Sequence, residues 1–434
     1  MSFDPYIGVY VAPLIVIWLL YQTLQRRSEA RVTAIRDAAI EAGLTQPASL
    51  HPVIDPATCL GCGACARACP EGTVLGLIGG RAELIEPTQC IGHGACKAAC
   101  PYDAIDLVFG TAERGVDIPV VGHDFQTNVA GIFIAGELGG MGLIRNAIEQ
   151  GRQAMDEIAR LDGLGHDSQL DVVIVGGGPA GISASLAALE MGLRFVTIEQ
   201  DSFGGTVSHF PRGKLVMTQP ANLPIYGRVG FREVSKEKLL ALWHDVAQKT
   251  GLRIRYGERV DDIRQRRGGM TVVTNRGQFE TRATLLAIGR RGSPRKLGVP
   301  GEQQTKVVYR LIDPEQYGNM HVLVVGGGDS ALEAAASIAE KSGTTVTLSY
   351  RSAAFSRAKL KNRQRVEKLA GEGRISLMMP STVAEVGKDN VSLQFNEELV
   401  VLQNDAVIVC AGGILPTGFL KKIGIEVETK HGTA

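Results

Sequence analysis

The stretch DVVIVGGGPAGISASLAALEMGLRFVTIEQ occupies residues 171–200. A β-branched run leads through Gly176-x-Gly178-x-x-Gly181 into a helix-forming segment, and a second strand ends at Glu199. In a dinucleotide-binding βαβ unit, Gly176 makes the turn, Gly178 admits the pyrophosphate and Gly181 lets the helix meet the strand, while Glu199 accepts from a ribose hydroxyl. The first dinucleotide site is therefore predicted from these residues together with Pro179 and Ala180 of the same turn.

The unit is repeated 150 residues later as HVLVVGGGDSALEAAASIAEKSGTTVTLSYR, beginning at residue 321. Gly326 and Gly328 are retained, and the turn continues with Asp329 and Ser330. Ser349 stands where the first unit has Glu199, and Arg351 follows two residues later. Loss of the acid and gain of arginine favour NADPH over NADH, with Arg357 as a second phosphate contact. The same basic segment is also typical of a solvated face, or of one that meets lipid headgroups or an acidic partner.

Seven of the eight cysteines lie between residues 59 and 100 in two sets offset by thirty-one residues. The first set is Cys59-x2-Cys62-x2-Cys65-x3-Cys69-Pro, and the second is Cys90-x2-His93-x2-Cys96-x3-Cys100-Pro. This duplication resembles the bacterial-type two-cluster 4Fe–4S ferredoxin over residues 51–110. The resemblance implies that Cys59, Cys62, Cys65 and Cys100 hold one cluster, and that Cys69, Cys90 and Cys96 hold the other. Structural zinc and a disulfide framework fit this spacing less well.

His93 stands where the ferredoxin family has cysteine. Three interpretations are open: a histidine that ligates iron and raises the cluster potential, a three-iron cluster, or a histidine beside a degenerate site.

The paired motifs GGGPAG and GGGDSA, with LLAIGRRGSPRKLGVPGE at 285–302, resemble the two-dinucleotide flavoprotein disulfide-reductase superfamily, most closely its thioredoxin-reductase-like branch. The resemblance implies FAD on the first unit, with Gly205 close to it, and NAD(P)H on the second.

The family's FAD domain ends in a strand, an Ala-Gly-Asp turn and a helix that covers the flavin, but residues 405–434 stop where that segment should begin. Residues 116–161 match it upstream, with Ala135-Gly136-Glu137 as the turn. We therefore expect a circularly permuted FAD domain with Gly136 and Glu137 at the cofactor. A plain strand–helix linker is the alternative.

Neither family position for a redox-active cysteine pair carries cysteine, since 201–214 and 307–322 have none and Cys410 is isolated on an apolar strand. A dithiol–disulfide reaction is therefore not expected. The resemblance instead implies that NAD(P)H gives a hydride to FAD, which passes single electrons through two iron–sulfur clusters. No catalytic side chain is required for hydride transfer. An electron-entry subunit of a larger membrane complex and a redox sensor without turnover are the alternatives.

Residues 6–21 carry no charge, and Arg26, Arg27 and Arg31 follow them. With its flanks, this run approaches the about twenty residues that a membrane span requires, and the arginines place the rest of the chain on the cytoplasmic side. We expect a single-pass cytoplasmic-membrane anchor in contact with lipid, and a cytochrome, quinone-linked complex or ferredoxin as redox partner. A homodimer is a family expectation only.

The chain of 434 residues suggests about three domains, and its net charge of +1 with 5% aromatic residues argues against nucleic acid as a partner. We predict an α/β protein with two Rossmann-like domains, a small α+β dicluster ferredoxin domain and one transmembrane helix. The predicted segments are an anchor at 1–25, a helical stalk at 26–50, the ferredoxin domain at 51–110, the permuted FAD segment at 111–165, the FAD domain at 166–300, the NAD(P)H domain at 301–404, and a return to the FAD domain at 405–434.

Overall fold

The structure is a computed structural model and describes residues 5–47, 50–140, 142–165, 169–217, 220–230, 233–356 and 358–432. The chain divides into two compact units. The first comprises Met1–Thr111 with Gly432–Ala434, and the second comprises Ala112–His431.

The first unit consists of one long helix and a small domain with two-stranded antiparallel sheets β1–β4 and β2–β3. Its elements are α1 (Pro5–Glu41), β1 (His51–Ile54), α2 (Ala64–Ala68), β2 (Leu75–Ile78), β3 (Arg81–Leu84), α3 (Ala95–Ala98) and β4 (Ile105–Val108). The duplicated sequence gives duplicated geometry, because α2 follows Gly63 at φ 70° and α3 follows Gly94 at φ 75°. Left-handed backbone at both positions favours glycine.

The C-terminal half of α1 packs on the β2–β3 hairpin. A Cβ at Gly76 would overlap the Val32 side chain, so the helix approaches the strand closely. The backbone N–H of Gly79 donates to Glu29 at 2.6 Å, and Arg36 pairs with Glu83 at 3.1 Å. The segment predicted as a stalk is thus helical to Glu41 and attached to the iron–sulfur domain by side-chain contacts.

The predicted anchor at 1–25 lies partly in residues 1–4, outside the described part of the chain. Among the described residues, no helix carries an apolar stretch of the length that a bilayer crossing needs. The transmembrane prediction and the membrane location therefore find no support in these helices. The largely apolar run at residues 6–21 is sixteen residues long, which is short of the about twenty that a span requires.

The second unit contains two sheets of Rossmann type. In the first sheet the order is β13-β8-β7-β16-β15-β14, and β6 also pairs with β16. The elements of this half are β5 (Val116–Pro119), β6 (Ile132–Ile134), α4 (Ile144–Ile158), β7 (Leu170–Val175), α5 (Pro179–Glu190), β8 (Phe195–Glu199), β9 (Leu215–Met217), β10 (Ala221–Leu223), β11 (Gly227–Val229), β12 (Glu233–Ser235), α6 (Lys236–Thr250), β13 (Arg255–Tyr256), β14 (Val260–Arg266), β15 (Gly269–Thr274) and β16 (Gly277–Leu286).

The second sheet is parallel, in the order β18-β25-β19-β20-β21, and a three-stranded antiparallel sheet β22-β23-β24 accompanies it. Its elements and those that follow are β17 (Ser293–Pro294), β18 (Val307–Val308), β19 (His321–Val325), α7 (Asp329–Ala339), β20 (Thr345–Ser349), α8 (Leu360–Gly371), β21 (Ile375–Met378), β22 (Ser381–Val386), β23 (Asn390–Phe395), β24 (Glu398–Gln403), β25 (Ala406–Val409), β26 (Gly413–Ile414), α9 (Thr417–Lys422) and β27 (Val427–Lys430).

The segment upstream of the first glycine motif is built into the first sheet. β6 pairs in parallel with β16, with Phe133 opposite Leu285, and α4 packs on α5 through small residues such as Ala154 and Ala184. β5 pairs with β27 in antiparallel orientation. Asp117 of β5 is hydrogen-bonded to Thr429 of β27, which lies 312 residues later in the chain. Residues 116–158 are therefore part of this fold rather than a linker to it.

The boundary predicted at residue 405 differs from the structure. β25 belongs to the second sheet, where it pairs in parallel with β18 and β19. The chain leaves that sheet only after Val409, when β26 pairs with β17. Apolar character alone does not tell which of two adjacent Rossmann sheets such a strand joins.

We expect Phe133→Ala to destabilise the second unit by about 3–5 kcal/mol, because the ring is 1% exposed and truncation of a buried phenylalanine leaves a cavity. The matched control is Val401→Ala, whose side chain is 58% exposed. Thermal melting of both full-length variants measures the difference. Equal melting temperatures would contradict the assignment of β6 to the sheet interior.

Candidate functional site

The first glycine turn is shaped by close backbone contacts. Gly176 has φ 117°, and a Cβ there would strike the carbonyl of Ala287. A Cβ at Gly181 would strike the carbonyl of Gly176, so helix α5 lies directly on the turn. Around Gly178, by contrast, the nearest atom to a Cβ is the Cα of Gly205 at 3.9 Å. Space for a ligand is therefore left at Gly178 and not at the other two glycines.

Glu199 lies at the end of β8 with 8% of its surface exposed. Its carboxylate accepts from the backbone N–H of Gly177 at 2.7 Å and of Asp201 at 2.9 Å. These two donors fix the carboxylate beside the glycine turn, and its remaining lone pairs are free to accept from a ribose hydroxyl.

Glu137 lies three residues after the end of β6, and its side chain reaches the loop after β16. Burial raises the pKa of this carboxyl, while the backbone N–H of Arg290 and the positive charges of Arg290 and Arg291 oppose the shift. Gly136, at φ 84°, donates its N–H to Gln150 of α4 at 2.9 Å. Strand, turn and helix thus hold Glu137 near Gly289, whose Cβ position is 3.6 Å from the carboxylate.

The second glycine turn repeats part of this geometry. Gly326 has φ 142°, and nothing lies within 4 Å of a Cβ at Gly328. Ser330 is exposed at the start of α7. The carboxylate of Asp329, a predicted cofactor residue, accepts from the N–H of Lys359 at 2.8 Å and from Asn362 at 2.7 Å. It secures the start of α8 over the turn.

Ser349, at the position of the acid, is fully buried, and its hydroxyl bonds to that of Ser381 at 2.7 Å. Arg351 is exposed beyond the end of β20. Arg357, the other predicted phosphate contact, lies outside the described residues.

The first predicted set of cluster ligands lines one pocket, formed with Gly61, Tyr102 and Ile105. These ligands are Cys59, Cys62, Cys65 and Cys100. The N–H of Ala82 points at Cys59 Sγ at 3.5 Å, and the N–H of Ala104 at Cys100 Sγ at 3.4 Å. Such donors stabilise thiolates that bind iron.

The second set is more deeply buried. Cys90 and Cys96 are 9% and 6% exposed, and their thiols interact electrostatically with Cys69. The Nε2 atom of His93 is buried and has no hydrogen-bond partner. A buried, unpartnered ring nitrogen suits a metal ligand, because a buried polar atom otherwise costs free energy.

All eight cysteines are free. Within the described part of the chain, no three Cys, His, Asp or Glu side chains converge as the ligands of a single metal ion do. A four-iron cluster sets a wider spacing, since each cysteine binds a different iron atom. Burial raises the pKa of Cys90 to about 11 and raises the pKa of Cys65, Cys69 and Cys96. Iron must therefore displace protons from these thiols.

Comparison with known proteins now decides the family. Residues 173–433, more than half of the chain, match the family described as pyridine nucleotide-disulphide oxidoreductase. The chain belongs to this family. Residues 51–101 match a 4Fe–4S dicluster domain. The resemblance to a flavoprotein oxidoreductase joined to an iron–sulfur domain is confirmed by these two matches.

Two curated relatives are named as reductases. The chain is 27% identical to bacilliredoxin reductase of Bacillus subtilis, over 61% of this chain and 83% of the relative. It is 31% identical to ferredoxin–NADP reductase of Pediococcus pentosaceus, over 60% of this chain and 78% of the relative. Among solved structures, bacillithiol disulfide reductase of Staphylococcus aureus covers 60% of this chain and 81% of its own, with 23% identity and a TM-score of 0.52. That likeness shows a shared fold.

Sequence reasoning missed two features of the site. Arg290 donates its backbone N–H to Glu137. It directly follows Gly289 in the family motif at 285–302, so the motif indicated this region of the chain but not the residue. Tyr350 lies against the second glycine turn, and no spacing rule indicates it.

Two alanine variants separate the structural glycine from the ligand-facing one. We expect Gly181→Ala to lower the melting temperature, because the new methyl group collides with the Gly176 carbonyl. Gly178→Ala has space in the fold and should keep the melting temperature while it lowers bound flavin per chain. Thermal melting and flavin absorbance measure both effects. Full flavin content in Gly178→Ala would remove this glycine from the cofactor site.

Proposed function

We propose that this chain is an NAD(P)H-dependent iron–sulfur flavoprotein that passes electrons between NADPH, FAD, two iron–sulfur clusters and a redox partner protein. The observation that carries the proposal is the joining, in one chain, of the nucleotide-binding family fold with a 4Fe–4S dicluster domain in which four cysteines line one pocket. FAD, when bound, supplies the exchange between a hydride pair and single electrons.

The residues around the first glycine turn would hold FAD. Gly178 leaves the backbone open for the pyrophosphate at the N-terminus of α5, where the N–H groups and the helix dipole favour anions, and Gly205 lies directly against Gly178. Glu199 is held by two backbone donors in position for a ribose hydroxyl. Glu137 is fixed beside Gly289 and faces the same turn region.

The second turn would hold the pyridine nucleotide. The open space at Gly328 and the exposed Ser330 hydroxyl suit a pyrophosphate. Arg351, which is exposed just after β20, would bind a 2′-phosphate. The naming of the Pediococcus pentosaceus relative as a ferredoxin–NADP reductase supports NADPH as the preferred nucleotide.

In the iron–sulfur domain, Cys59, Cys62, Cys65 and Cys100 would bind the first cluster. Cys69, Cys90, Cys96 and His93 would bind the second, with His93 using its unpartnered Nε2 atom. A neutral imidazole in place of a thiolate raises the potential of an iron–sulfur centre.

The second unit has no pair of cysteines for a dithiol–disulfide reaction. Cys410 is the single cysteine in residues 112–431, and burial raises the pKa of its thiol to about 12. A buried, protonated thiol is a poor nucleophile. The relatives named as disulfide or bacilliredoxin reductases therefore share the framework, and we propose that electrons leave this flavoprotein by another route.

We also propose that the FAD domain is circularly permuted. The family match begins at residue 173, yet β6 and α4, which precede it, complete the sheet and cover α5. The segment thus stands in sequence directly after the iron–sulfur domain.

An anaerobic titration with NADPH and, separately, NADH tests the function on purified, iron-reconstituted protein. We expect NADPH to bleach the flavin absorbance and to produce cluster EPR signals, with NADH less effective. The control is Cys100→Ser, in which the flavin should still bleach while the first cluster signal is lost. A bleached flavin with both clusters oxidised in the wild type would contradict electron flow from nucleotide to cluster.

His93→Cys tests the second cluster. We expect a lower reduction potential and an altered EPR signal, because a thiolate replaces a neutral ligand. His123→Ala, at an exposed histidine of the other unit, is the matched control. An EPR signal and potential equal to those of the wild type would exclude His93 as a ligand.

A further inference from the structure

Tyr350 occupies, in the second nucleotide unit, the place that a carboxylate occupies in the first. Gly177 and Gly327 are equivalent positions, 150 residues apart. A Cβ at Gly177 would lie 3.2–3.3 Å from the Cβ, Cγ and Oε2 atoms of Glu199. At Gly327, the atoms that such a Cβ would strike are Cδ1, Cε1 and Cζ of the Tyr350 ring.

The ring of Tyr350 is held in this place by two contacts. Tyr350 stacks on Phe355 with ring centroids 5.9 Å apart and planes 18° apart. Phe355 is 5% exposed and belongs to the core of the second sheet, against which Tyr350 also packs. The Cδ1, Cε1 and Cζ atoms of the ring lie against Gly327 of the glycine turn. Contact with a buried aromatic ring and with a backbone turn gives the Tyr350 ring a defined position.

The position that holds Glu199 in the first unit provides no carboxylate in the second. Ser349 is fully buried and bonded to Ser381 at 2.7 Å. The side of the glycine turn where the first unit presents a negative charge therefore presents a neutral ring, followed by the exposed guanidinium of Arg351.

We infer that Tyr350 is the residue that selects the nucleotide in the second site: its ring supports the adenosine ribose and keeps a negative charge away from the 2′ position. A carboxylate beside Gly327 would bind a free ribose diol and repel a 2′-phosphate. A neutral ring does not repel the 2′-phosphate, so Arg351 can bind it. This inference rests on the proposed nucleotide function of the second unit and adds the residue that sets its specificity.

Equilibrium binding of NADP⁺ and NAD⁺ to the flavin-loaded full chain, measured by calorimetry, tests the inference without turnover. For Tyr350→Glu we expect the ratio of NADP⁺ to NAD⁺ affinity to fall by about tenfold or more, because a like charge faces the phosphate. Tyr350→Phe should keep the wild-type ratio. Leu399→Glu is the control for charge, since Leu399 is 61% exposed on β24.

Tyr350→Gln is the second variant, for the case that a carboxylate at this partly buried position prevents folding. It removes the ring without adding charge, so both affinities should fall together with little change in their ratio. Unchanged or stronger binding in Tyr350→Gln, or an unchanged ratio in folded Tyr350→Glu, overturns the inference. A wild-type chain that binds neither nucleotide contradicts the proposed function instead.

Discussion

The flavoprotein unit depends on one close contact between helix backbones. A Cβ at Gly151 in α4 would overlap the carbonyl of Ala180 in α5, so the two helices touch with no side chain between them. The same helix supplies Gln150, which accepts the N–H of Gly136 at 2.9 Å. The contact therefore places the Glu137 turn against the glycine turn. A larger residue at position 151 would move α4, and the carboxylate would move with it.

Much of the site was predictable because its geometry is local. The three glycines at 176, 178 and 181 must bring a turn, an open face and a helix contact within six residues, and the structure has each at the predicted position. Cys59, Cys62 and Cys65 of the cysteine pocket are close in sequence, whereas the distant Cys100 was assigned to it by the resemblance to the two-cluster ferredoxins. The attachment of residues 116–158 to the sheet was suggested by a match to a known order of strand, turn and helix, and β6 pairs accordingly.

The remaining features depend on contacts between distant elements. Hydropathy in the sequence indicated the apolar first part of α1. It did not indicate that Val32 of α1 packs on Gly76, because no sequence periodicity connects these two residues. The Asp329 carboxylate was predicted at the cofactor from its motif, and its hydrogen bonds to the start of α8 were not predicted. The Tyr350 ring stacks on Phe355 and lies beside Gly327, where the first unit has a carboxylate. Such arrangements follow from tertiary packing, to which single-sequence patterns are blind.

The pairing of β5 with β27 also constrains how the chain is made. Synthesis proceeds from the N-terminus at about 5–20 residues per second, and domains tend to fold in that order. The 312 residues between Asp117 and Thr429 thus correspond to roughly 15–60 s during which β5 waits for its partner strand. The cysteine-bearing domain leaves the ribosome before this interval begins. Iron–sulfur assembly can therefore proceed on a folded domain while the flavoprotein sheet is still incomplete.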